Sequence, residues 1–162
     1  MSGYKLETRG LVKEYSGTVA LDGVDIGFSA GEVHALIGKN GAGKSTLVKI
    51  LAGSLVPTRG RIICDGDVCE LRSPQDAFER GIAMVYQELS LVSGLRVAEN
   101  MLLGRMPKRR GWIDWVATYA RAEKVLEELG VEIDARARVG DLGVAEQQIV
   151  EIAKAMSCDP AV

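Results

Sequence analysis

Histidine, cysteine and aromatic residues are all scarce: one histidine, three cysteines and 5% aromatics in 162 residues. The lone histidine, His34, lies inside an apolar stretch and reads as a core side chain rather than a ligand or base. Cys64, Cys69 and Cys158 are odd in number and never spaced C-x-x-C. That argues against a zinc site or a disulfide framework and fits a reducing cytosol. A surplus of charge is also lacking. Twenty basic against 22 acidic residues leave a net charge of −2, which predicts neither a nucleic-acid nor a membrane-surface partner. The basic run Lys108-Arg109-Arg110, between Pro107 and Gly111, reads as a solvated loop. No stretch approaches the roughly 18 apolar residues of a membrane helix. Met1–Gly10 is polar, without the charged-then-apolar pattern of a signal peptide. The chain reads as soluble, and any membrane role is expected to come through a partner.

What is present is an ordinary globular balance, 47% hydrophobic and 26% charged, in a chain long enough for one domain with its own core. Apolar runs at Lys5–Val12, Val24–Phe28 and Val33–Ile37 predict strands, separated by Asp22-Gly23 and Ala30-Gly31 turns. From Ser45 the pattern turns helical, with Leu47, Ile50 and Leu51 on one face and Gly53 closing the segment. A turn at Pro57–Gly60 leads to a strand at Arg61–Cys64. Ser73-Pro74 then starts a short helix, serine as cap and proline at the first position. Ile82–Tyr86 predicts another buried strand. This alternation predicts an α/β fold.

Beyond Gln87 the apolar spacing predicts helices at Arg96–Leu103, Asp114–Leu129, with Asp114 as its cap, and Val144–Met156. Ala122, Val125, Leu126 and Leu129 form the inner face of the second; Ile149, Ile152, Ala153 and Met156 form that of the third. Trp112 and Trp115 are expected to pack or staple a helix entry, and Met84, Met101 and Met156 to fill core space. The expected organisation is an α/β core at 1–87, a helical part at 88–157, and the start of a further core stretch at 158–162.

One motif carries chemistry by itself. Gly38-Lys39-Asn40-Gly41-Ala42-Gly43-Lys44-Ser45 fits G-x-x-x-x-G-K-[ST] at every fixed position. Its glycines let the backbone wrap an anion with N–H groups inward. The following helix aims its positive end at the same point. Lys44 adds a charge for β- and γ-phosphates, Ser45 a hydroxyl for magnesium, and Thr46 a contact on the α-phosphate side. A strand before and a helix after are the context that the motif requires. ATP and magnesium are the expected ligands.

Four ordered blocks extend the argument: GEVHALIGKNGAGKSTLVKILAG (31–53), VYQEL (85–89), VAENMLLGR (97–105) and VGDLGVAEQQIVEIAKAM (139–156). Together with Tyr15 they resemble the ATP-binding subunits of ABC transporters, closest to the sugar-import subgroup. The resemblance spans nearly the whole chain. It implies a P-loop NTPase-type core, incomplete here, with a β-rich N-terminal part and a helical subdomain. It also implies that Tyr15 stacks on adenine, and that Gln87 reaches magnesium and the attacking water. Leu142, Gly143, Val144, Ala145 and Glu146 fall in the signature segment, which contacts ATP held by the opposite domain of a head-to-tail dimer. Two residues depart from the family pattern. Gly143 replaces a serine, removing a hydroxyl donor, and Glu146 replaces a glutamine, adding negative charge; backbone N–H groups remain.

The implied partners are transmembrane permease subunits docking at 87–105, a second ATP-binding domain and, indirectly, a periplasmic or extracellular solute-binding protein. The implied place is the cytoplasmic face of the membrane. The family's magnesium-binding aspartate, catalytic glutamate and later histidine have no counterpart in the 162 residues, so the full protein is expected to hydrolyse ATP and this stretch to bind without turnover. The strand carrying that aspartate would lie beside the phosphate-loop strand, so an apolar edge is expected to be exposed. Two other readings stay open. One is a soluble ABC-type ATPase acting on nucleic acid or ribosomes, and the other a nucleotide-binding regulatory module.

Overall fold

The computed structural model describes residues 4–86 and 88–162. It divides into two compact units, one of residues 1–83 with 161–162 and one of 84–160.

The first unit is built on an antiparallel sheet. Strands β1 (Tyr4–Tyr15) and β2 (Thr18–Ser29) form a long hairpin, and β3 (Arg59–Cys64) and β4 (Asp67–Cys69) form a short one. The sheet order is β2-β1-β3-β4. Leu6, Leu11 and Leu21 are buried, where they meet Ile62, Cys64 and Cys69; Leu6 and Leu11, five residues apart, share a face because the register shifts between Thr8 and Leu11. Helix α1 (Lys44–Leu51) closes this core with Leu47, Ile50 and Leu51, the face its spacing predicts. Thr8 is fully buried beside an irregularity in the β1–β2 register. Its hydroxyl donates to the Val24 carbonyl at 3.0 Å and accepts from the Ile26 amide at 3.2 Å, satisfying groups that the ladder leaves open there.

Helix α1 stops because Gly53 turns left-handed (φ 70°). The Gly53 amide donates to the Ile50 carbonyl at 3.0 Å and the Ser54 amide to Lys49 at 2.9 Å, the paired bonds of a Schellman closure. A Cβ on Gly53 would lie 2.1 Å from the Ser73 carbonyl oxygen. That contact sets the end of α1 against the start of α2 (Pro74–Glu79). Ser73 caps α2 by accepting from the Asp76 amide at 3.2 Å, and Asp76 returns the bond by accepting from the Ser73 amide at 2.8 Å.

The second unit is helical. Helices α3 (Val97–Met101), α4 (Trp115–Glu128) and α5 (Val144–Met156) share a core of Val97, Ala98, Met101, Ala122, Leu126, Val150 and Ala153. Asp114 caps α4 as its position predicts, accepting from the Ala117 amide at 3.0 Å. Among the described residues no helix is long and apolar enough to cross a membrane.

Several expectations are corrected. Val33–Ile37 is not a strand: Val33 and Ile37 are 102% and 92% exposed. Among the described residues no strand forms a backbone ladder with it, and an apolar run without a ladder partner acquires no sheet geometry. His34 is accordingly a surface residue, edge-on to Phe28 at 5.3 Å and 3.2 Å from the Glu32 carboxylate. Ile82–Tyr86 is likewise outside any strand, although Ala83 donates to the Val162 carbonyl at 2.9 Å. Lys108–Arg109 is not a loop but strand β5, paired with β6 (Trp112–Ile113), because Arg110 and Gly111 take the two left-handed conformations of a tight hairpin turn. Trp112, 82% exposed, packs against little, and Met156 is also exposed, because α5 buries Val150 and Ala153 rather than the Ile152 and Met156 side.

Two outcomes test these closures. Gly53→Ala is expected to cost about 1–3 kcal/mol, read as a lowered denaturant midpoint, because a positive φ and a carbonyl collision act together. The Arg72 amide, the Ser73 hydroxyl and the Ser73 amide hold the Asp76 carboxyl below its ordinary value of 3.8. A depressed folded-state pKa stabilises fully above the unfolded value and is lost as pH falls through the folded one. The stability deficit of Asp76→Asn is therefore expected to be present at neutral pH and to close in acid, measured by paired melts across that range.

Candidate nucleotide site

Loop 38–43 connects residues 33–37 to α1. It curls because Gly41 and Gly43 are left-handed, with φ of 82° and 80°. The Ala42 amide closes a turn on the Lys39 carbonyl at 3.2 Å. Gly43 is the N-cap of α1 and has no tolerance for a side chain. A Cβ there would sit 2.4 Å from the Ala20 carbonyl oxygen and 2.7 Å from Leu21 Cδ2. The loop is thus pressed against β2 through a position where only hydrogen fits.

Lys44 curls back over the loop. Its ammonium donates to the Gly38 carbonyl at 2.7 Å and the Lys39 carbonyl at 2.9 Å. No side chain caps α1, which leaves its first-turn N–H groups without a side-chain acceptor. Ser45 is exposed on that turn and Thr46 beside it is half-buried. Gly38, Asn40, Gly41 and Ala42 are exposed around the opening. An inward curl of backbone, a positive helix end, a mobile ammonium and an adjacent hydroxyl together fit a polyphosphate with its magnesium ion.

Tyr15 belongs to the same unit. It ends β1 opposite Thr18, is 46% exposed, and has the Lys13 ammonium 5.3 Å from its ring centroid. Gln87 lies outside the described residues.

The signature residues belong to the second unit. Leu142 follows a 3-10 turn, Val139–Asp141, and Gly143 is the N-cap of α5. Val144, Ala145 and Glu146 are exposed on the first turn of α5. Glu146 folds back so that its carboxylate accepts from the Gly143 amide at 2.8 Å. The negative charge that departs from the family pattern therefore occupies one donor of its own helix end. Gln147 anchors the approach by donating to the Leu142 carbonyl at 3.0 Å and the Val139 carbonyl at 3.2 Å.

Sequence reasoning missed two buried side chains, Asn100 and Glu151, that hold the loop beyond residue 87, with the half-buried Lys154 assisting. Asn100, 1% exposed, accepts from the Val92 amide at 2.7 Å. It also donates to the Val92 and Arg96 carbonyls at 3.0 and 3.2 Å. Glu151, buried on α5, accepts from the Ser90 amide, and Lys154 donates to the Ser90 hydroxyl at 2.6 Å. A polar residue on an otherwise apolar helix face was the available signal in both cases.

The loop, its lysine and the helix behind them define a P-loop nucleotide-binding core. Residues 21–162 match the family model for the ABC transporter. The chain is 54% identical over 151 residues to a ribose import ATP-binding protein of Rubrobacter xylanophilus, covering 93% of this chain and 30% of that protein. It superposes with a TM-score of 0.83 and 28% identity on an ATP-binding cassette of an ABC transporter in its ADP conformation, covering 97% of this chain and 66% of that one. A dimeric bacterial ABC transporter cassette gives a TM-score of 0.76 at 25% identity, covering 96% of this chain and 70% of that one. The chain belongs to the ABC transporter family, to its ATP-binding component. It spans about 30% of the length of the curated relative it matches.

Asn100→Ala should leave the Val92 amide and carbonyl without their partner, at about 1–3 kcal/mol. The expected result is faster hydrogen exchange at Val92 with little change in α1, measured residue by residue.

Proposed function

We propose that the chain is the leading part of the energy-coupling ATPase of an importer, and that the imported solute is a sugar of the ribose, xylose or galactose kind. The observation that supports it most directly is the Lys44 ammonium held over loop 38–45, 2.7 and 2.9 Å from two loop carbonyls. In this reading Lys44 exchanges those carbonyls for the β- and γ-phosphate oxygens of ATP. Backbone N–H groups of Gly41 to Thr46 surround the phosphates, Ser45 supplies an oxygen to magnesium, and Tyr15 offers its exposed ring to adenine. Magnesium supplies charge neutralisation between the phosphates when bound. Gln87 is assigned to magnesium and the attacking water.

The functional division we propose is a nucleotide core at 1–87, a helical signature part at 88–157 and further core from 158, within a few residues of the compact units, which change at 83/84 and 160/161. Phosphoryl transfer to water rests on positioning and charge stabilisation around the γ-phosphate. The 162 residues contain no Asp-Glu pair, so this stretch binds ATP, and turnover belongs to the whole protein. Segment 87–105 docks the permease, held in shape by Asn100 and Glu151. Leu142 to Glu146 meets ATP on a second ATP-binding domain, a head-to-tail arrangement consistent with the dimeric cassette among the structural neighbours. A solute-binding protein acts on the far side of the membrane, which places this subunit peripherally on the cytoplasmic face.

Lys44→Ala is expected to weaken Mg-ATP binding at least tenfold, since a charge-assisted hydrogen bond contributes about 1.5–3 kcal/mol. An unchanged titration curve would sink the nucleotide assignment. Sugar uptake by vesicles carrying the whole transporter should fall in parallel, and uptake that persists would remove the coupling role.

A further inference from the structure

Cys64 and Cys69 are close together in the short hairpin of the first unit. Cys64 pairs across the ladder with Asp67, and Cys69 with Ile62, so the cysteines are diagonal neighbours on one face. Diagonal positions stand about 7–8 Å apart on a regular sheet. Their side chains lean toward each other on that face, and the two Sγ atoms are 2.7 Å apart. A disulfide needs about 2.05 Å, so the sulfurs have only about 0.7 Å to close. Both side chains are buried, and both sulfurs are free thiols. Among the described residues no third ligand joins them into a metal site.

The two are not equally reachable. A cavity of about 200 Å³ lined by Val56, Pro57, Gly60, Arg61 and Leu71 has Cys69 in its wall. Cys64 is not in that wall, and burial together with the hydrogen bond shared with Cys69 pushes its thiol up to about 12. A small oxidant entering the cavity thus meets Cys69 first, with Cys64 as the second sulfur.

We propose that Cys69 and Cys64 are a peroxide-oxidisable pair that closes to an intramolecular disulfide across the β3–β4 hairpin. The Cys69 sulfur, having given up its proton, attacks one peroxide oxygen. The S–O bond forms, the O–O bond breaks, and the departing hydroxide takes up the released proton as water. The Cys64 sulfur then attacks the sulfenic sulfur of Cys69. The S–S bond forms, the S–O bond breaks, and the hydroxide leaves with the Cys64 proton. Two thiols and one hydrogen peroxide become one disulfide and two waters, the sulfurs losing two electrons to the peroxide.

The test uses the whole protein, reduced, freed of reductant and exposed to hydrogen peroxide. Remaining thiols are then alkylated with N-ethylmaleimide under denaturing conditions, and the protein is digested with trypsin. Cleavage after Arg61 and Arg72 leaves both cysteines in one peptide, so the disulfide appears as that peptide lighter by two hydrogens and unalkylated. The expected result is this species, reverted by dithiothreitol, while Cys158 is alkylated. Cys64→Ser is expected to halt Cys69 as a sulfenic acid that dimedone traps. Three outcomes would overturn the proposal: both cysteines alkylated after peroxide, linkage only between molecules, or independent over-oxidation of each sulfur with no linked peptide.

Discussion

The nucleotide core depends on a backbone-to-backbone approach. Gly43 stands so near the Ala20 carbonyl that a methyl group has no room. From this one close approach follow the height of the loop above β2, the direction in which α1 leaves it, and the side of the sheet that Leu47 and Ile50 cover. The left-handed backbone at Gly43 belongs to the same requirement. A side chain at that position would collide with the Ala20 carbonyl and push α1 away from β2, taking the loop with it. The glycine of the motif thus serves packing and chemistry at once.

The helical unit is organised by a different means. Its apolar core is ordinary, but the loop running from residue 88 is fastened by buried polar side chains. Asn100 and Glu151 reach out of helices to grip loop amides, replacing the ladder partners that a loop cannot have. Such bonds are directional, so they fix the loop's course where apolar contacts would only hold it down. In the proposed coupling role this matters, because a segment that transmits movement must have a definite shape to move from.

Much of this was legible in the sequence. The turn of loop 38–43 was readable because it is local: the spacing of its glycines sets where the backbone can turn left-handed. The same holds for Ser73 and Asp114, whose capping bonds reach only three residues along the chain. Features that depend on distant partners were not readable. Val33–Ile37 has strand composition, but composition does not supply a neighbouring strand, and His34 followed the segment to the surface. Lys108–Arg109 was misread because charge suggested a loop while the left-handed pair Arg110-Gly111 set a hairpin. The cysteine spacing rule tests C-x-x-C, and the separation of five between Cys64 and Cys69 becomes proximity only through the turn at Asp65 and Gly66.

The resting position of Lys44 bears on how fast and how selectively the loop can be filled. A long side chain free in water loses rotamer freedom when it settles on a ligand, a cost often near 1 kcal/mol or above. Here the ammonium is already tethered to two carbonyls of the loop, so that loss precedes the arrival of any anion. Those carbonyls are neutral acceptors, weaker than phosphate oxygens but comparable to water. A visitor without negative charge therefore has little to offer in exchange. In the proposed role the lysine would act as a doorkeeper, releasing its two carbonyls only to something more anionic than the backbone itself.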